Sequence, residues 1–196
     1  MLHTMAKRLA CLFVSREIIP ESQKDVSAYG LELIFSTLLN GVLVFTFAIG
    51  FGLFLETVLT LIPFMLIRSK AGGYHAKTHV GCASGFLFVY LIGMAAMSYI
   101  PTESATIIMG IMVIVSAAIV LIIGLAPHKN RPLSRREFWK FRFQARCLAS
   151  TLSLIGLVGL YIWPALFIYF SLGLFIAAGS LLTAWMINKR ERGIRK

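Results

Sequence analysis

The sequence predicts an all-α membrane protein: about six transmembrane helices, some of them short or re-entrant, preceded by an interfacial amphipathic helix. Three observations predict it. Apolar residues make up 58% of the 196-residue chain, the mean hydropathy is +0.83, and only 14% of residues are charged. A water-soluble surface on a chain of this length needs more charge, so the hydrocarbon of a bilayer is the matching solvent. Long apolar runs also alternate with short polar segments. Finally, the 19 Lys and Arg residues, set against 8 Asp and Glu, gather in every second polar segment.

The first 28 residues form the amphipathic N-terminal segment. Leu2, Met5, Leu9, Leu12 and Phe13 recur at helical spacing, while Lys7, Arg8 and Arg16 lie off that stripe. This is the pattern of a helix lying in the membrane surface, or of one packed along the protein itself. The segment lacks a long apolar core and a small-residue cleavage site, so no cleavable leader is expected.

Residues 31–67 are almost unbroken apolar sequence, too long for one crossing of about 20 residues. Gly50-Phe51-Gly52 divides them into spans over 31–50 and 52–67. The second is short, carries Glu56 and Pro63, and is expected to kink or to pair with the first as a re-entrant hairpin. Residues 82–100 form a third span, Pro101-Thr102-Glu103-Ser104 a turn, and residues 105–126 a fourth span. Residues 127–146 read as a basic loop. Residues 147–187 are again too long for one crossing, and Trp163-Pro164 splits them into spans five and six before a basic tail at 188–196. No internal repeat appears, and residues 1–196 read as one polytopic domain.

Charge tests this division. Lys7, Arg8, Arg16 and Lys24 precede the first span, and Arg68, Lys70 and Lys77 lie between the second and third. Seven cations from Lys129 to Arg146 lie between the fourth and fifth, and Lys189, Arg190, Arg192, Arg195 and Lys196 follow the sixth, which accounts for all 19. The positive-inside rule then places both termini and the 68–82 and 127–146 loops in the cytoplasm. The net charge of +11 suits anionic lipids and acidic peptides as partners. Nucleic acid is disfavoured, because the cations sit in short loops between apolar spans. Three cysteines cannot all pair within the chain, and Cys11 and Cys147 read as ordinary apolar or interfacial residues, so free thiols are expected.

The segment from Arg68 to Cys82, RSKAGGYHAKTHVGC, concentrates the chemistry. A thiol becomes a nucleophile when a base or a positive field makes it a thiolate. Cys82 stands at the start of the third span, where unpaired helical N–H groups favour negative charge. Lys77 adds positive field, and His75 or His79 is available to take the proton. His75 is seven residues from Cys82, about 10 Å along a continuous helix, and meets it only if the chain turns back at Gly72-Gly73 or Gly81. His79, three residues away, is slightly favoured by geometry alone. Two other readings compete: a plain solvated connection, and a metal site on the H-x3-H-x2-C spacing of His75, His79 and Cys82. No acidic residue lies between Arg68 and Cys82, so a zinc protease would lack its general base there.

The pattern of Arg68, then Gly72-Gly73-Tyr74-His75-Ala76, then Cys82 resembles the signature of the accessory gene regulator B (AgrB) family, membrane endopeptidases of Gram-positive quorum sensing. A second landmark of the family, a Pro followed by a basic Asn-(Lys/Arg)-Pro-Leu stretch, stands here as Ala126-Pro127-His128-Lys129-Asn130-Arg131-Pro132-Leu133. The likeness covers nearly the whole chain in length, span order and both motifs. It implies that Cys82 is the nucleophile and His75 the general base, against the geometric preference for His79. It implies supporting or substrate-binding roles for Arg68, Gly72, Gly73, Lys77, Lys129, Arg131, Arg135 and Arg136, and neither metal nor cofactor. It further implies an AgrD-like precursor peptide as substrate. Its acidic C-terminal tail is cut off through a Cys82 acyl-enzyme, and the remainder closes into a thiolactone or lactone ring. The family is reported as dimeric, and Gly156-x2-Gly159 permits the close helix packing of a homodimer.

Two non-enzymatic classes stand beside this one. Six spans could line the path of a peptide transporter or exporter, although no nucleotide-binding motif and no cation within a span supports it. A membrane interaction protein without chemistry is the other. Both tolerate Cys82→Ser, and the enzyme does not.

Overall fold

The computed structural model describes residues 2–74, 79–126 and 134–194. Seven α-helices follow one another among the described residues: α1 (Leu2–Ser15), α2 (Lys24–Gly50), α3 (Phe54–Ala71), α4 (His79–Tyr99), α5 (Thr102–Ile123), α6 (Arg135–Ile162) and α7 (Pro164–Ile194). Glu21–Gln23 adds one 3-10 turn, and Gly72 and Ala126 form an isolated parallel bridge. Four stretches are long and apolar enough to cross a bilayer: Glu21–Gly50, Thr102–Ile123, Arg135–Ile162 and Pro164–Arg190; Ser84–Tyr99 is a shorter apolar one. The chain is an all-α membrane protein.

The short connections stand where the sequence puts them. Gly52 adopts a positive φ of 68° between α2 and α3. Pro101 precedes α5, and Trp163 separates α6 from Pro164 at the start of α7. The other helix ends differ from the apolar runs, because hydrogen bonding rather than hydropathy sets them. The helix α3 continues through Pro63 to Ala71, taking in Arg68 and Lys70, and α4 starts at His79, three residues before Cys82. In turn, α5 stops at Ile123, where Gly124 takes a φ of 74°. The largest difference is at 127–146. Arg135 to Arg146 belong to α6 rather than to a loop, because Ser134 and Glu137 form a capping box that starts the helix. The tail expected at 188–196 is likewise helical as far as Ile194.

The core is organised around α7, which packs against α3, α5, α6 and α4. Ile168 through Leu174 are all buried, and Leu174, Leu181, Ile67, Val113 and Val120 are essentially inaccessible. Glycine sets how closely α7 is approached. A Cβ on Gly173 would lie 2.0 Å from the Thr60 carbonyl oxygen, so α3 and α7 touch backbone to backbone there. Thr60 also donates its hydroxyl to the Tyr169 carbonyl at 3.1 Å. Gly156 faces Leu174 and Phe170, and a Cβ on Gly159 would overlap Phe167. The Gly156-x2-Gly159 edge is therefore filled by α7 of the same chain, and it supplies no surface for the expected homodimer.

The outer faces are apolar. Ile107, Ile111, Ile114 and Ile122 of α5 and Ile34, Leu38 and Val42 of α2 are exposed in helical register, as lipid-facing stripes are. The helix α1 packs along α2, burying Ala6 and Ala10 while Met5 and Leu12 remain exposed. Both sequence readings of this segment thus have a face: small residues meet the protein, and large apolar ones point away from it. Cys11 and Cys147 are free and exposed.

Candidate active site

The site is built where α3 ends. Arg68 lies one turn before that end, and its guanidinium passes over the Phe64 ring at 5.4 Å. Its Nη2 donates to the Tyr74 carbonyl at 3.0 Å, and its Nη1 to Ser180 Oγ at 3.3 Å. The Tyr74 N–H donates back to Ser180, with the carbonyl oxygen and Oγ each at 3.1 Å. One α7 serine and one α3 arginine therefore hold the main chain at the residue directly preceding His75.

Two glycines make this close seating feasible. Gly72 has φ 75° and ψ −161°, a region open in practice only to glycine. A Cβ there would lie 2.7 Å from the Ala126 carbonyl oxygen. Ala126 donates its N–H to the Ala71 carbonyl at 3.0 Å, which closes the bridge between the chain leaving α3 and the chain leaving α5. Gly73 is buried, and a Cβ on it would sit 2.7 Å from Ser180 Oγ. The two sequence landmarks thus meet in the structure at Gly72 and Ala126.

Cys82 belongs to the first turn of α4, and its backbone is helical; its side chain lies outside the described residues. His75, Lys77, Lys129 and Arg131 lie outside them as well. From Tyr74 to His79 the chain can span at most about 18 Å, so the start of α4 is tied to the Arg68–Ser180 clamp. Arg135 and Arg136 are exposed in the first turn of α6. Lys70 lies over the Phe141 ring at 5.8 Å. Among the described residues no group of three or more His, Cys, Asp or Glu is placed to hold a metal.

Arg68, Gly72 and Gly73 come together here, whereas Arg135 and Arg136 stand on a different helix. Sequence reasoning missed Ser180. A small polar residue in an apolar helix is a weak signal, and its partners lie 106 and 112 residues away.

The family model of Accessory gene regulator B matches residues 6–187, nearly the entire chain. The chain belongs to the AgrB family. Among its relatives, an AgrB-like protein of Clostridium beijerinckii is 28% identical over 151 residues, covering 74% of this chain and 67% of that one. Accessory gene regulator protein B of Staphylococcus aureus (strain Newman) is 24% identical over 161 residues, 82% of each chain. No solved structure matches. Membership of the AgrB family places the protein in the accessory gene regulator system of quorum sensing, in which autoinducer peptides are processed.

Proposed function

We propose that the protein is a membrane-embedded cysteine endopeptidase that removes the acidic C-terminal tail of an AgrD-like propeptide and promotes closure of the remainder into a thiolactone or lactone. The observation that carries this reading is the Arg68–Ser180–Tyr74 clamp with the Gly72–Ala126 bridge. It fixes the start of the polar segment that contains His75, and that segment leads directly into the helix of Cys82. Such construction suits a site that must orient reacting groups, and it exceeds what a plain connection needs.

In this reading His75 takes the Cys82 thiol proton, and the thiolate attacks the carbonyl carbon at the end of the signal segment. The C–N bond breaks, the imidazolium returns its proton to the departing amine, and a thioester remains on Cys82. A thiol or hydroxyl within the peptide then gives its proton to His75 and attacks the thioester carbonyl, and Cys82 leaves as thiolate, which takes that proton back. Exchange of one thioester for another is nearly balanced in free energy, so ring closure depends on keeping water out, which a membrane interface favours. The start of α4 supplies a positive dipole end, and Lys77 further positive field, both lowering the cost of the thiolate.

Lys129, Arg131, Arg135 and Arg136 hold the acidic tail by charge complementarity. The distribution of all 19 cations sets both termini and the site on the cytoplasmic side of six crossings. The helix α6 has 28 residues, about 42 Å against a hydrocarbon core of ~30 Å. Its first turns, with Arg135 and Arg136, therefore project toward the tail.

The test is co-expression with candidate small precursor peptides and mass analysis of the products, for wild type, Cys82→Ala, His75→Ala and His79→Ala. Cleavage lost in the first two variants and kept in the third is expected. Cleavage surviving Cys82→Ala would overturn the reading.

A further inference from the structure

A cavity of about 460 Å³ lies between the C-terminal ends of α5 and α7 and the N-terminal half of α6. Its volume falls within the range that holds small ligands. Ile122, Ile123 and Phe138 give it an apolar wall, and Arg142, Lys189 and Trp185 line the same space. The two cations are held by aromatic faces: Arg142 lies 5.3 Å from the Trp139 ring centre and Lys189 5.2 Å from that of Trp185. Arg142 is also fixed by Gly124, where a Cβ would come within 2.6 Å of its Cγ, and its buried Nε has no hydrogen-bond partner. No described residue lining the cavity is acidic. Glu137, on the same turn of α6 as Phe138, is engaged by the Ser134 N–H and hydroxyl at 2.9 and 2.7 Å.

We propose that this cavity binds the headgroup of an anionic phospholipid, with the phosphate between Arg142 and Lys189 and an acyl chain along the exposed Ile122 face of α5. Two cations with no acid among them complement one phosphate. The indoles of Trp139 and Trp185, against which the two cations lie, are side chains that anchor at a membrane interface, and Ile122, 73% exposed, continues the apolar wall toward the lipid. A soluble acidic peptide would use the cations but would gain nothing from that wall. The inference is independent of the endopeptidase reading, since it engages neither Cys82 nor the cations assigned to the peptide tail.

The experiment is native mass spectrometry of the full-length protein, offered equal amounts of phosphatidylglycerol and phosphatidylcholine in mild detergent. With about fivefold per cation, wild type should retain phosphatidylglycerol by more than tenfold. Arg142→Gln with Lys189→Gln should bring the ratio to within about twofold of unity. Lys189 is exposed, so Lys189→Glu reverses the charge without disturbing the buried core and should lower the ratio at least fivefold. Lys7→Gln with Arg8→Gln, on α1, should leave it unchanged. Equal retention of both lipids by wild type, or a preference that survives in the Lys189 variants, overturns the proposal. Displacement of phosphatidylglycerol by equimolar tetraglutamate would assign the cavity to an acidic peptide and overturn it too.

Discussion

The N–H of Ala126 donates to the carbonyl oxygen of Ala71 at 3.0 Å, so the chain leaving α5 is hydrogen-bonded to the chain leaving α3. Two helix exits 55 residues apart are thereby locked together at Gly72, one residue before the buried Gly73. Helix ends in a membrane protein have orphan polar groups to satisfy, and here the exits satisfy each other. The loop between α3 and α4 consequently begins from a fixed point.

Gly72→Ala tests that fixed point. Its φ and ψ are open in practice only to glycine, and its Cβ would crowd the Ala126 carbonyl, a combined cost of roughly 1–3 kcal/mol. A misplacement of about 1 Å at the site is worth ~100-fold in rate. Precursor cleavage in co-expressing cells should fall by about that factor while the protein still reaches the membrane fraction. Gly41→Ala has open space at its Cβ and should process normally. Full activity in Gly72→Ala would detach the bridge from function.

Arg68→Lys should be nearly as damaging as Arg68→Ala. The guanidinium bonds Tyr74 O and Ser180 Oγ from two different nitrogens, and a lysine ammonium lacks that fork. Ser180→Ala removes one acceptor of the Tyr74 N–H and leaves the other, the Ser180 carbonyl. It should therefore be milder, about 1 kcal/mol or roughly fivefold in cleavage rate. A mass-spectrometric time course of precursor and product distinguishes the two sizes of effect.

The apolar helices were legible in the sequence because a bilayer makes hydropathy almost the whole signal, and four of them are long and apolar enough to cross it. Gly50-Phe51-Gly52, Pro101 and Trp163-Pro164 each interrupt an apolar run with a residue that bends or ends a helix, and each marks a boundary between helices in the structure. What hydropathy hides is a charged stretch that is helical anyway. Residues 135–146 carry five of the seven cations assigned to the basic loop, and that charge outweighed the Ser-x-x-Glu pattern at 134–137, the signal that was present. For the site, Arg68, Gly72 and Gly73 were legible as a motif, but their purpose was not. Contacts such as Tyr74 with Ser180, 106 residues apart, leave no local pattern.

Packing at α7 gives a stability prediction. Gly173→Ala would place a methyl 2.0 Å from the Thr60 carbonyl and 2.9 Å from Pro63 Cγ, and backbone cannot yield as a flexible side chain does. Overpacking of this kind costs about 1–3 kcal/mol. The variant should show an earlier thermal aggregation onset in detergent than wild type. Gly110→Ala, on α5 with nothing near its Cβ, should match wild type or exceed it slightly.

The capping box predicts where the cations of α6 stand. Ser134 Oγ accepts from the Glu137 N–H, and the Glu137 carboxylate accepts from the Ser134 N–H. Ser134→Ala removes half of that exchange, worth about 1 kcal/mol. The first turn then frays, and Arg135 and Arg136 lose their fixed bearing without losing their charge. If the acidic tail is held at that turn, Ser134→Ala should weaken its binding about fivefold, measured as the precursor concentration giving half-maximal cleavage, with the maximal rate kept. Arg135→Gln with Arg136→Gln should weaken it further and make the remaining binding less sensitive to salt. A half-maximal concentration unmoved in both variants would mean that these cations serve topology alone.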